Sequence, residues 1–228
     1  MRRPILIIIA VLVSLSGLGA AARADSDRSQ DVERIRNARR DFHQIMSAPD
    51  KAIPQELLES ARCIAIVPGE TSFAFVFGGK YGKGLAMCRT AQGWSAPVFL
   101  TITGGSVGFQ IGGSSTDLVM IFRDKRGVQH LLSDKFKIGA DATADAGPVG
   151  RHVSAGTDLW MHDEILTYSR SRGIFGGVSL NGAVVEPDRS GNRALYGKNA
   201  HSEEILRGKV PVPKVAQRLV TEVQRDTR

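Results

Sequence analysis

The apolar positions of this chain recur with two periods, and these lay out its elements. Between Asp31 and Met46, Val32, Ile35, Phe42, Ile45 and Met46 recur at helical spacing while Arg34, Arg36, Arg39, Arg40 and His43 fill the remainder, which predicts a basic amphipathic helix. Such a helix either turns its stripe to the core and leaves a solvated charged face, or lies on a membrane through apolar burial and arginine attraction to anionic lipid. Ala48-Pro49-Asp50 breaks the chain, and a second short helix begins at Pro54 and carries Leu57 and Leu58 to Ala61. Strands follow at Cys63–Val67, Ser72–Phe77 and Gly84–Arg89, with turns at Pro68-Gly69 and Gly78–Gly82, and the Gln92-Gly93 turn leads into a strand over Trp94–Thr103. Across Gly104–Gly113, Val107, Phe109 and Ile111 alternate with Gly108, Gln110 and Gly112, so one side of that strand is nearly bare. Leu118–Phe122 is unbroken apolar sequence of strand length, which predicts burial on both faces.

The second half continues in the same manner. Arg123–Gly127 is a charged loop or helix start, Val128–Leu132 a short helix, and Lys135–Asp145 a strand ended by Ala146-Gly147-Pro148-Val149-Gly150-Arg151. Glu164–Ser169 is a strand that feeds the glycine-laced stretch from Tyr168 to Gly182, where Val178, Leu180, Gly182 and Val184 share one face. Asp188–Asn192 has hairpin-turn composition, Ser202 caps a helix with Glu203 and Glu204 in its first turn, and Val215–Val223 is a C-terminal helix. With no repeat and no long linker, the expectation is a single α+β domain. Its glycine-rich, mostly antiparallel β core is sandwich-like or barrel-like, flanked by the N-terminal amphipathic helix and the C-terminal helix.

The first residues change the picture of where the domain works. Arg2 and Arg3, the apolar run Ile5–Leu18 and the Ala22-Arg23-Ala24 site predict a signal peptide over residues 1–24. The functional domain is then 25–228, exported to the periplasm or secreted, and peripheral to membrane. Loss of Arg2, Arg3 and Arg23 lowers the formal charge from +7 to +4, a mild basic bias that suits an anionic surface; export makes nucleic acid an improbable partner. Cys63 and Cys88 are the only cysteines. In a simple meander a third strand separates them by about 9 to 10 Å, beyond disulfide reach, which leaves two buried thiols; a bridge, which an exported protein permits, is the alternative expectation.

Little of the sequence points to chemistry. Gly104-Gly105-Ser106-Val107-Gly108 has the nucleophile-elbow spacing, but strand-period sequence follows where that motif needs a helix. Gly79–Gly84 lacks the phosphate-loop spacing, so Lys80 and Lys83 either decorate a hairpin or hold an anion. His152, His162, Asp163 and Glu164 lack metal-ligand spacing. The expectation is therefore no catalytic residue, no metal and no cofactor. The cations remain: Arg151, Arg170 and Arg172 in glycine-rich turns can fork onto a phosphate or pair with Asp141 or Asp145 and staple the fold.

An ordered series of segments resembles the SYLF-domain family: Ile53–Ala61 with Ile64–Ile66, Gly79–Arg89, Gly93–Pro97, Gly108–Gly112 with Asp117, Gly139–Asp141 with Gly147–Arg151, Tyr168–Val178, and Asn192 with Tyr196-Gly197. The resemblance implies a non-enzymatic domain for anionic phospholipid or phosphoinositide headgroups, engaged through the basic first helix; some eukaryotic members also bind actin. Carried onto this chain, the candidate lipid-binding residues are Arg34, Arg36, Arg39, Arg40, Lys80, Lys83, Arg151, Arg170 and Arg172. The rival expectations are a carrier enclosing an apolar ligand and an envelope module docking a protein partner.

Overall fold

The computed structural model describes residues 28–47, 53–69, 79–105, 116–148, 164–171, 174–177 and 180–228. The predicted signal segment, the strand expected at Ser72–Phe77, most of the Ser106 motif and the residues His152, His162 and Asp163 lie outside them. The chain runs through α1 (28–46), α2 (Gln55–Ser60), β1 (Cys63–Val67), β2 (Gly79–Thr90), β3 (Gly93–Trp94), β4 (Val98–Gly105) and β5 (Asp117–Phe122). It continues through α3 (Lys125–Leu132), β6 (Phe136–Lys137), β7 (Ala144–Ala146), β8 (Ile165–Ser171), β9 (Ile174–Gly177) and β10 (Val184–Pro187), then α4 (Arg189–Tyr196), α5 (Ser202–Leu206) and α6 (Gln217–Asp226).

The strands form one curled sheet in the order β6-β10-β4-β2-β1-β5-β8-β7, with β3 on β2 and β9 on β8. Every pairing is antiparallel except β7 with β8. The central strands are apolar on both sides because both sides are covered. Ile64, Ile66, Leu85, Met87, Val119 and Ile121 pack with α1, α2 and α6, whereas Ala65, Val67, Ala86, Leu118, Met120 and Phe122 pack with α3, α5 and the strands around Phe136 and Val185. The core is thus two apolar layers either side of one sheet. At Gly84 the approach is close enough that a Cβ would fall 2.5 Å from the Ile66 carbonyl oxygen, which is why β2 can pass β1 only with glycine there.

Several expectations are corrected. β1 pairs directly with β2, so Cys63 stands opposite Cys88 and the two form a disulfide, with Cα atoms 3.9 Å apart. The expected strand Trp94–Thr103 is interrupted at Ser95–Pro97, where Ser95 Oγ accepts from the Cys88 N–H at 3.0 Å. The strand expected over Lys135–Asp145 breaks at Gly139, with φ +84, and the Asp141 carboxylate closes the turn by accepting from the Lys137 N–H at 2.7 Å. Of the strand expected through Val178–Val185, the described part begins at Leu180 and turns at Gly182, with φ 85, before β10. Asp188–Asn192 opens a helix instead of closing a hairpin: Asp188 is the N-cap and its carboxylate accepts from the Gly191 N–H at 3.1 Å. His201, not Ser202, takes the N-cap position of α5.

Candidate functional site

α1 divides its charges between the interior and the surface. Ile35, Ala38, Phe42 and Ile45 are buried against the sheet, and Asp31, Arg34 and Asp41 are buried on the same side. Of the two readings of this helix, the core-facing one describes its apolar stripe. Arg34 is an interior residue: its Nη2 lies 3.1 Å from Asp31 Oδ1, its Nη1 3.1 Å from Asp188 Oδ2, and its guanidinium sits 4.7 Å from the Phe99 ring centroid. With 4% exposure it cannot reach a headgroup, which removes it from the lipid-binding set.

Asp188 is the hub of that lock. Burial raises its carboxyl, but hydrogen bonds from Ser190 and the Gly191 N–H, with the charges of Arg34 and Lys83, outweigh this and hold it well below the usual carboxylate range. Lys83 Nζ lies 3.4 Å from Asp188 Oδ2, so this lysine also serves the fold. Of Lys80 the structure describes the backbone, which pairs with Gly104. Arg170 staples three elements, its Nε donating to Asp117 Oδ2 at 3.0 Å and its Nη2 lying 3.7 Å from Asp41 Oδ1 on α1. Its partners are these two acids, not the Asp141 or Asp145 suggested by the sequence. Burial first, then the neighbouring Asp117 charge, pushes Asp41 up to about 6. Arg151 and Arg172 lie outside the described residues.

The outer face of α1 meets α6 along an open groove of about 440 Å³. Ile35, Val215 and Leu219 contribute its apolar lining, and Arg36, Arg39, Lys214 and Arg218 its cations. All four cationic residues are exposed. Among the described residues Arg36, Lys214 and Arg218 have no ion pair, while Arg39 Nε lies 2.8 Å from Glu222 Oε2. Arg40 stands beside the groove, half exposed, with its Nε 3.1 Å from Asp41 Oδ1. The spacing explains the arrangement. Arg36 and Arg39 lie within one turn of α1, while Lys214 sits in the turn that leads into α6 and Arg218 in that helix's first turn, so the two segments present two cations each to the same gap.

Lys214 and Arg218 are the site residues that sequence reading missed. Their one-turn spacing was visible beside Val215 and Leu219, but which helix they would oppose was not. Arg89 was missed as a structural residue: its guanidinium donates to the carbonyls of Ala61 and Thr227 at 3.1 and 2.9 Å, and lies 5.1 Å from the Trp94 ring centroid. Among the described residues no group of three or more His, Cys, Asp or Glu is placed to hold a metal ion, and no helix is long and apolar enough to cross a membrane.

A curled, mostly antiparallel sheet with helices on both faces and a basic cleft between its first and last helices defines a single α+β domain. The chain belongs to the Ysc84 family, described as "Ysc84: Las17-binding protein actin regulator", whose match covers residues 103–226. This is the family whose resemblance the SYLF motifs carry. The chain is similar to SH3 domain-containing YSC84-like protein 1 of Homo sapiens, 31% identical over 198 residues, which are 85% of this chain and 58% of that protein. It is also similar to Protein YSC84 of Saccharomyces cerevisiae, 33% identical over 175 residues, 75% of this chain and 37% of the relative. LAS seventeen-binding protein 3 of the same species is 31% identical over 168 residues, 72% and 36% of the two chains. The chain therefore spans little more than half, or less, of the length of these curated relatives.

Proposed function

We propose that this chain is an exported, non-enzymatic lipid-binding domain that associates with anionic phospholipid headgroups through the groove between α1 and α6. The observation that carries the reading is the set of four exposed cations, Arg36, Arg39, Lys214 and Arg218, gathered over the apolar residues Ile35, Val215 and Leu219. Each cation near an acidic bilayer is worth about 1 kcal/mol, so four acting together support a salt-sensitive attachment by a rigid domain. The apolar stripe of α1 is spent on the core, so the attachment is electrostatic and superficial rather than an insertion of the helix. Export is supported by the charged, apolar and small-residue order of residues 1–24 and agrees with a Cys63–Cys88 disulfide, which persists in oxidising compartments.

The test is co-sedimentation of the chain lacking residues 1–24 with vesicles of phosphatidylcholine alone and of phosphatidylcholine with phosphatidylglycerol in equal parts. Pelleting with the acidic vesicles only, weakened by salt and abolished by Arg36→Glu with Arg218→Glu, is the expected result. Equal pelleting with both compositions, or no effect of the charge reversals, overturns the reading. A second reading, a module docking a protein partner, is favoured by the relatives' names, which describe Las17 binding. It predicts that the same charge reversals leave partner capture intact while vesicle binding is absent.

A further inference from the structure

At one end of the groove a single carboxylate serves several basic side chains. Arg39 Nε lies 2.8 Å from Glu222 Oε2, His43 Nδ1 2.7 Å from Oε1, and Arg225 Nη2 3.9 Å from Oε1. The Glu222 side chain is 5% exposed, whereas those of Arg39 and His43 are 45% and 58% exposed. The acid is therefore fixed in the seam between α6 and α1, and the basic side chains reach it from the solvent side. Of these three, only Arg39 also lines the groove.

From this shared use of Arg39 we infer that Glu222 is the groove's built-in counter-ion and sets its affinity for phosphate-bearing ligands. The inference rests on the groove being the headgroup site proposed above. A phosphate seated between Arg36, Arg39, Lys214 and Arg218 competes with the Glu222 carboxylate for the Arg39 guanidinium. It also feels the repulsion of a charge that burial leaves poorly screened. His43 and Arg225 stay beside Glu222 when Arg39 turns outward, so the acid is not stranded without a partner, and exchange of Arg39 between the two anions is inexpensive. The groove is thus held below its full attraction in the free protein. The opposite role, in which Glu222 orients Arg39 toward the ligand, predicts the opposite sign when the charge is removed.

The experiment is a double-mutant cycle on Glu222→Gln and Arg39→Gln, with affinity read by titrating vesicles of phosphatidylglycerol and phosphatidylcholine in equal parts and folding checked by thermal unfolding. Glu222→Gln keeps the shape of the side chain and should tighten vesicle binding about fivefold; in the Arg39→Gln background the same change should give little gain. Unchanged or weaker binding by folded Glu222→Gln overturns the inference, as does a gain of the same size without Arg39, which would be a general charge effect. Should Glu222→Gln fail to fold, Glu222→Asp withdraws the carboxylate from Arg39 while keeping its charge, and the absence of an intermediate gain is then decisive. Wild-type binding without the gain sinks this inference alone, whereas no binding by either protein sinks the headgroup reading beneath it. Glycerol 3-phosphate provides the free-ligand arm. A gain seen with it but not with vesicles makes a soluble phosphate, not a membrane, the occupant and overturns the lipid source.

Discussion

Asp41 is the group whose ionisation should be visible in the stability of the whole domain. Its side chain faces the interior at 1% exposure, and burial together with the Asp117 charge raises its pKa from 3.8 to about 6 against the opposing pull of Arg40 and Arg170. In the unfolded chain the carboxyl titrates near its ordinary value. Between the two values the folded protein therefore holds a proton that the unfolded chain has released, and stability falls as pH rises through that window. The resulting penalty is about 1.5 kcal/mol at pH 5 and levels off at about 3 kcal/mol above pH 7. Asp41→Asn removes the titration but keeps an oxygen to accept from Arg40 Nε, now 3.1 Å from Oδ1. Urea unfolding of both proteins at pH 5 and pH 8 cancels the titrations they share. The variant should gain about 1.5 kcal/mol on the wild type between the two conditions. Parallel stability curves across that range would refute the claim that this carboxyl is held protonated by its burial.

Four further outcomes follow from the interior. Arg34→Met removes the cation shared by the buried Asp31 and Asp188 carboxylates and should cost about 3 to 5 kcal/mol in urea unfolding; a loss below about 1 kcal/mol would mean the lock is not structural. Because the folded pKa of Asp188 is depressed, its contribution is full above the ordinary carboxylate range and is lost in acid below it, a loss that should be missing from the pH profile of Asp188→Asn. The Cys63–Cys88 disulfide closes a separation of 25 residues, so Cys63→Ala with Cys88→Ala should lose about 3.5 kcal/mol, and thiol titration of the unfolded, unreduced wild type should find no free thiol. Gly84→Ala drives a Cβ into the Ile66 carbonyl and should lower the melting temperature by more than Gly197→Ala, whose Cβ meets nothing within 4 Å and whose cost comes only from its φ of +90.

What could be read from the sequence was governed by range. Cys63–Val67 and Leu118–Phe122 are short unbroken apolar runs, and they are the strands covered on both faces, because apolar periodicity reports burial directly. Asp188-Arg189-Ser190-Gly191-Asn192 has turn composition, yet the same Asp is a good N-cap; the outcome was decided by Arg34, Lys83 and the docking of Asn192 on the Phe99 backbone, contacts that each span more than ninety residues of sequence. The disulfide was misread because strand order is not contained in strand pattern: the assumption of an intervening strand separated Cys63 from Cys88, whereas the register sets them side by side. One local signal was available and unused. Asp31, Arg34 and Asp41 fall on the same helical face as Ile35, Ala38, Phe42 and Ile45, so their burial was implied by the 3.6-residue period that buried the apolar stripe.

That division of α1 determines how any test of membrane attachment must be read. Arg34 and Arg36 are two residues apart, which on a helix places them on different sides, one locked to Asp31 and Asp188 and the other exposed beside Lys214 and Arg218. A block replacement of the helix arginines by glutamate would abolish vesicle binding whether or not the groove binds lipid, because the Arg34 change alone buries a third acid against two others. Loss of binding becomes informative only when Arg34 is left in place and the substitutions are confined to Arg36, Arg39, Lys214 and Arg218. The apolar stripe cannot rescue attachment in that case, since Phe42 and Ile45 have no exposed surface to offer a bilayer. Binding that survives removal of all four outer cations would therefore have to come from a surface other than this groove.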